Sequence, residues 1–191
     1  MTTEADVYNA LKYRVEVDDA GTRRYYNHNN QLHREHGPAV VWAKGSTEWL
    51  QNGLRHRAEG PAVDWDNGDK EWWVNGRRHR IDGPAVIWAD GYREWWQNGL
   101  RHRTNGPAIV DPNGSSQWYL NGVRHRTNGP AVIDPNGNNR WYLNENSNCT
   151  DGPAVLYDDS TREWWIDGLE YTKQEFHEQL KSLGHTPCPL M

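Results

Sequence analysis

The chain is poor in the usual builders of a protein core. It holds one Phe, two Met and two Cys, and its mean hydropathy is -1.05. Two cysteines, Cys149 and Cys188, do not make a disulfide framework and read as free thiols. No stretch approaches the length of a membrane span. The opening "MTTEADVYNA" carries acidic residues where a secretory signal would be basic, so a cytoplasmic location is expected. A basic excess is also missing: 21 Lys and Arg stand against 26 Asp and Glu, for a formal charge of -5. That balance argues against general DNA binding, which usually needs a strongly basic domain. Gly-rich phosphate loops, Ser-centred elbows and paired-carboxylate motifs are absent as well. The expectation is a protein that is not an enzyme and takes no cofactor.

What the chain does have is 12 Trp and 9 Tyr. Their large apolar surfaces, poorly scored by hydropathy scales, are the core material. They recur on a clock. His-Arg occurs at His33, His56, His79, His102 and His125, each 23 residues after the last, with Asn148-Cys149 in the sixth place. Gly-Pro-Ala keeps the same frame at Gly37, Gly60, Gly83, Gly106, Gly129 and Gly152. One aromatic column reads Tyr26, Trp49, Trp72, Trp95, Trp118, Trp141, Trp164. An Asn-Gly column reads Asn52, Asn75, Asn98 and Asn121, with Asn144-Glu145 and Asp167-Gly168 as variants. A fixed period of this length is the mark of a stacked repeat array.

Within one repeat, Pro84 to Trp88 is apolar and β-prone, "ADG" signals a turn, and the Tyr92 to Gln97 segment is β-prone again. Asn-Gly then predicts a tight type I′ hairpin, whose two central residues need positive φ. Each copy therefore reads as strand, Gly turn, strand, Asn-Gly turn, short strand and a Gly-Pro corner, where Pro is tolerated at the start of a strand. Alternation places Glu71 with Trp73 on one side of their strand and Trp72 with Val74 on the other. The Trp72 and Val86 columns vary least and are assigned to the core. The Trp88 column, which drifts to Asp111 and Asp134, and the Trp73 column, which drifts to Leu50, Tyr119 and Tyr142, are expected to be only partly covered. A parallel solenoid with one coil per repeat is the competing architecture.

The ends read as caps. Lys12 to Tyr26 is a degenerate first copy with a turn between two strands. "YTKQEFHEQLKSLG" changes to a helical period, with Phe176, Leu180 and Leu183 on one face, a Thr172–Glu175 capping box and a Gly184 stop. The expected organisation is an N-terminal segment 1–11, a repeat array 12–171 of six to seven copies, and a capping helix with tail 172–191.

The unit "EWWVNGRRHR" followed by a strand and "ADG" resembles the MORN repeat, with Trp73, Asn75, Gly76, His79 and Gly91 on matching positions and the likeness extending over roughly residues 12 to 171. The usual Tyr-x-Gly before the Trp is absent, His-Gly is His-Arg, and Gly-Pro-Ala is an addition. The variant is similar to MORN-related repeats of bacterial and bacteriophage proteins. The resemblance implies an elongated, single-layer antiparallel β-meander of hairpin repeats that binds proteins or membrane surfaces and does no reaction chemistry.

One His per repeat suggests a metal ladder, but ligands must lie within about 2.1 Å of one ion, and hairpin repeats set equivalent columns roughly 9 to 10 Å apart. No metal is expected; each His should hydrogen-bond backbone at its corner and pack on a neighbouring Trp. Two Arg columns flank the His, and alternation sends both to the face opposite it. They either stack on aromatics and pair with Glu48, Glu71 and Glu94, or form a basic stripe for phosphate, an acidic protein or anionic headgroups. The "DPNG" stretches at Asp111 and Asp134 are turn chemistry, not calcium loops. The candidate partner-binding residues are Arg55, Arg78, Arg101 and Arg124 with Trp65, Trp73, Trp88 and Trp96. The function they suggest is a non-enzymatic protein-binding module, by association with phage repeats a factor that binds and inhibits a host defence protein. Nucleotide or nucleic-acid sequestration through the Trp and Arg columns is the alternative, and a structural scaffold is the third. No membrane insertion is expected, and the oligomeric state is left open.

Overall fold

The computed structural model describes residues 12–143, 146, 147 and 153–183. The N-terminal segment 1–11, the Asn144-Glu145 and Asn148-Cys149 variants, Cys188 and the Gly184 stop lie outside them. The chain forms two compact units, residues 1–99 and 100–191, and the boundary falls just after the Asn98-Gly99 turn.

Among the described residues the strand ladders are antiparallel, which selects the meander over the solenoid. In the first unit the sheet order follows the sequence: Arg14–Val17, Arg23–Tyr26, Val40–Val41, Thr47–Glu48, Val63–Asp64, Lys70–Glu71, Val86–Ile87 and Arg93–Glu94. In the second it runs Ile109–Val110, Ser116–Gln117, Val132–Ile133, Asn139–Arg140, Val155–Leu156, Arg162–Ile166 and Leu169–Tyr171. Beside this sheet each repeat sets a small hairpin, as in Trp73–Val74 with Arg77–Arg78 and Tyr119–Leu120 with Val123–Arg124.

Asn-Gly makes these hairpins as predicted: φ is 49° at Asn75 and 73° at Gly76, the type I′ pattern that Asn and Gly tolerate best. Gly76 is also closely approached. A Cβ there would lie 3.2 Å from Leu54 Cδ2 of the preceding hairpin.

The packed layer is narrower than the aromatic columns suggest. The Ala of every Gly-Pro-Ala (Ala39, Ala62, Ala85, Ala108, Ala131, Ala154) is fully buried, and Val40, Val63, Val86, Ile109 and Val155 are buried beside it. Val132 is half-buried. The Trp72 column, assigned to the core, is only half-buried at Trp49, Trp72, Trp95, Trp118 and Trp141; Trp164 alone is buried. In the Trp73 column, expected to be partly covered, Leu50 and Tyr119 are buried. Trp164 is the member that the C-terminal helix covers; the other indoles named here keep part of their surface open.

Both ends are capped. Arg14–Val17 pairs with Arg23–Tyr26 across a turn in which Asp18 accepts the Thr22 N–H. At the other end, helix α1 (Lys173–Ser182) packs Phe176 and Leu180 against Trp164, Ile166 and Tyr171. The Thr172–Glu175 capping box is present. Leu183 departs from expectation: it is the C-cap, 54% exposed, and lies outside the Phe176–Leu180 cluster.

Candidate functional site: an Arg-aromatic-carboxylate belt

Cross-strand register fixes the belt. Val63 lies opposite both Glu48 and Glu71, and Val86 opposite both Glu71 and Glu94. Directly opposed residues share a face, so carboxylates and valines alternate across the first unit. Two residues along the strand, on the same face, stands the Trp73 column. Its indole N–H groups donate to these carboxylates: Trp73 Nε1 to Glu71 at 2.9 Å and Trp96 Nε1 to Glu94 at 2.8 Å.

Arg78 joins the two copies. It donates to Glu71 at 3.2 Å, lies 3.7 Å from a Glu94 oxygen, and stands 5.3 Å from the Trp73 ring and 5.4 Å from the Trp96 ring. Trp73, Arg78 and Trp96 line an open groove of about 380 Å³. Arg55 repeats the arrangement one copy earlier, paired with Glu48 and 5.2 Å from the Trp73 ring. At the Gly-turn end Tyr92 donates to Glu94 at 2.8 Å and stacks on Trp88 at 4.5 Å. Glu94 is only 4% exposed, and the hydrogen bonds from Tyr92 and Trp96 offset its desolvation.

Of the predicted site residues, the structure thus joins Arg55, Trp73, Arg78, Trp96 and Trp88 through Glu71, Glu94 and Tyr92. Trp65 is not joined to Trp88; it leans on Trp42, 5.2 Å away. In the second unit Arg101 and Arg124 both flank Tyr119, at 5.5 and 5.8 Å. Tyr92 was missed. Its signal was its place two residues before a Glu, which puts its hydroxyl over that carboxylate on the same face of the strand. Near the far end Tyr157 and Trp165 both donate to Glu163, at 2.7 and 3.0 Å. The hydrogen bond to Glu163, followed by burial and that carboxylate's charge, raises the Tyr157 phenol above its usual pKa.

The second Arg column does different work. Its members stack on the Trp72 column: Arg57 on Trp49 at 4.0 Å, Arg80 on Trp72 at 4.1 Å and Arg126 on Trp118 at 3.9 Å. Each also donates to the Pro carbonyl four residues on, as Arg57 does to Pro61 at 2.9 Å and Arg126 to Pro130 at 2.9 Å. Burial pulls the guanidinium pKa of Arg103 and Arg126 down from its ordinary value. The two Arg columns therefore do not share a role or an aromatic partner. Alternation was extended past Arg78, where the strand ends.

The His column holds backbone, but that of the next copy. Asn52, Asn75, Asn98 and Asn121 donate their N–H to Nδ1 of His33, His56, His79 and His102, at 2.9, 3.1, 3.0 and 3.2 Å. Where Nδ1 accepts this N–H, the ring proton sits on Nε2. The Asn75 side-chain oxygen is placed 2.8 Å from the same nitrogen. The tautomer decides between these two contacts, because Nδ1 either accepts the Asn75 N–H or donates to the Asn75 side-chain oxygen. Among the described residues no group of His, Cys, Asp and Glu could hold a metal.

No family model matches this chain, and no curated protein matches it.

Proposed function

We propose that the protein is a binding module that recognises another protein through the Arg-aromatic-carboxylate belt. The observation that supports this reading is the continuity of Trp73, Arg78, Trp96, Glu94, Tyr92 and Trp88 on one face. Trp, Tyr and Arg are the residue types that dominate interface hot spots, and they bind best when held rigid beforehand. Here the carboxylates fix the rings and guanidinium groups, and Trp88, 41% exposed at one end of the belt, is available for contact. A host-defence target is the finer reading, resting on the likeness to phage repeats alone.

The test is capture from bacterial lysate on the immobilised full chain, with Trp88→Ala and Ile81→Ala variants. Ile81 is 79% exposed but lines a separate hollow with Trp72 and Arg80. One stoichiometric protein retained by Ile81→Ala and lost by Trp88→Ala is the expected result. Equal capture by both variants, or retention only of nucleotide or nucleic acid with strong salt dependence, would overturn the reading.

A further inference from the structure

We infer that the second unit carries a docking position for an acidic side chain of a protein partner, centred on Arg124 and Arg140. The inference rests on the belt being a protein-binding face and names the chemistry it selects at one place.

The belt's carboxylate column reads Glu48, Glu71, Glu94, Gln117, Arg140, Glu163. In the first unit the array supplies its own counter-ions: Arg55 has Glu48, and Arg78 has Glu71 and Glu94. Arg124 occupies the equivalent place in the second unit, cross-strand from Tyr119, with its guanidinium 5.8 Å from the Tyr119 ring and 5.3 Å from the Tyr142 ring. The carboxylate positions that would flank it hold Gln117, whose oxygen accepts the Tyr119 hydroxyl at 3.2 Å, and Arg140. Arg124 Nε is buried and has no hydrogen-bond partner among the described residues.

Two described acids of the second unit have partners of their own. Glu163 takes Tyr157 and Trp165, and Asp134 accepts the Asn136 N–H of its own turn at 2.8 Å. Arg124 makes no ion pair among the described residues, and a carboxylate is the group that complements a guanidinium best because its two oxygens match the planar fork. Exposed Arg140 adds a second cation on the same face. The position is an Arg clamp between two tyrosines, lacking the acid that its sister copies carry. An Asp or Glu from a partner would stand beside Arg124 on the Arg140 side, as Glu94 stands beside Arg78.

The test follows the Arg124 Nε–Hε resonance of the full chain by NMR. The probes are an acetylated tetra-glutamate peptide, the matched tetra-glutamine peptide and inorganic phosphate. The glutamate peptide should shift Arg124 saturably, leave Arg78 unmoved and exceed the glutamine peptide. Arg140→Glu, which restores the column's own acid, should abolish the shift. Arg140→Gln, which places there the residue already present at 117, should weaken it about tenfold through loss of one charge-assisted contact. No shift, an equal shift at Arg78, or tighter binding of phosphate than of peptide would overturn the inference. The last outcome would mark a free-anion site. Failure here, with lysate capture still lost in Trp88→Ala, would remove the acidic docking position and leave the belt as the binding face.

Discussion

Arg80 shows how a single residue ties the repeat together. Its guanidinium lies on Trp72, donates to the Pro84 carbonyl at 3.2 Å and pairs with exposed Asp82 at 2.9 Å. Gly83 makes room for it: a Cβ there would come within 2.9 Å of the guanidinium carbon, while the backbone itself is unstrained. Arg80→Ala is expected to lower unfolding stability by about 1–2 kcal/mol, the sum of a cation–π contact and a hydrogen bond. Gly83→Ala should lose a similar amount by evicting the same guanidinium. The double variant should lose little more than either single one, because both remove one interaction. Denaturant melts of the cycle check this, and simple additivity would refute the account. At the same scale, NMR of the ring nitrogens of His56, His79 and His102 should report the Nε2–H tautomer wherever Nδ1 accepts the Asn N–H.

At the scale of the element, the hairpin turn and the helix cap are separable. Asn75→Gly should be nearly neutral, since Gly tolerates the 49° φ. Asn75→Ala should lose about 1–2 kcal/mol for forcing a Cβ into that region and for losing the amide beside His56. In helix α1 Thr172→Ala should lose about 1 kcal/mol as an N-cap deletion. Hydrogen bonds from the Thr172 N–H and hydroxyl hold the Glu175 carboxyl below its usual pKa. A depressed carboxylate stabilises fully above its ordinary value of about 4.3 and ceases to do so as the pH falls through the folded value. Far-UV circular dichroism of the wild type should therefore show helix loss on acidification in that window, and Glu175→Gln should flatten the transition.

For the whole molecule, the ends matter most. A stacked sheet must close its last strand or risk pairing with another chain. Arg14–Val17 manages this with alternating charges, whereas Leu169–Tyr171, with Leu169 63% exposed, relies on α1 packing beside it. Leu180→Ala, at a residue 1% exposed, should lose about 2–5 kcal/mol and loosen the helix. Self-association measured by light scattering should rise with it. A monomer as stable as the wild type would show that the helix does not guard that edge.

The 23-residue frame, the Asn-Gly hairpins, the capping box and the antiparallel meander were legible in the sequence because each depends on backbone chemistry within a few residues. Asn75 and Gly76 fit positive φ wherever the chain goes, and Thr172 caps from three positions away. The belt was half-legible: its Arg and Trp members stood out, but Tyr92 and the grouping of Trp65 with Trp42 did not. What only tertiary structure decided was what stands opposite each side chain on the strands of neighbouring copies. That is why Ala85 and Val86 are sealed while Trp72 is left for Arg80 to cover, and why Arg78 has two carboxylates where Arg124 has Gln117 and Arg140. Partners that meet through the sheet are set by register across copies, and a single strand's sequence carries no record of its register.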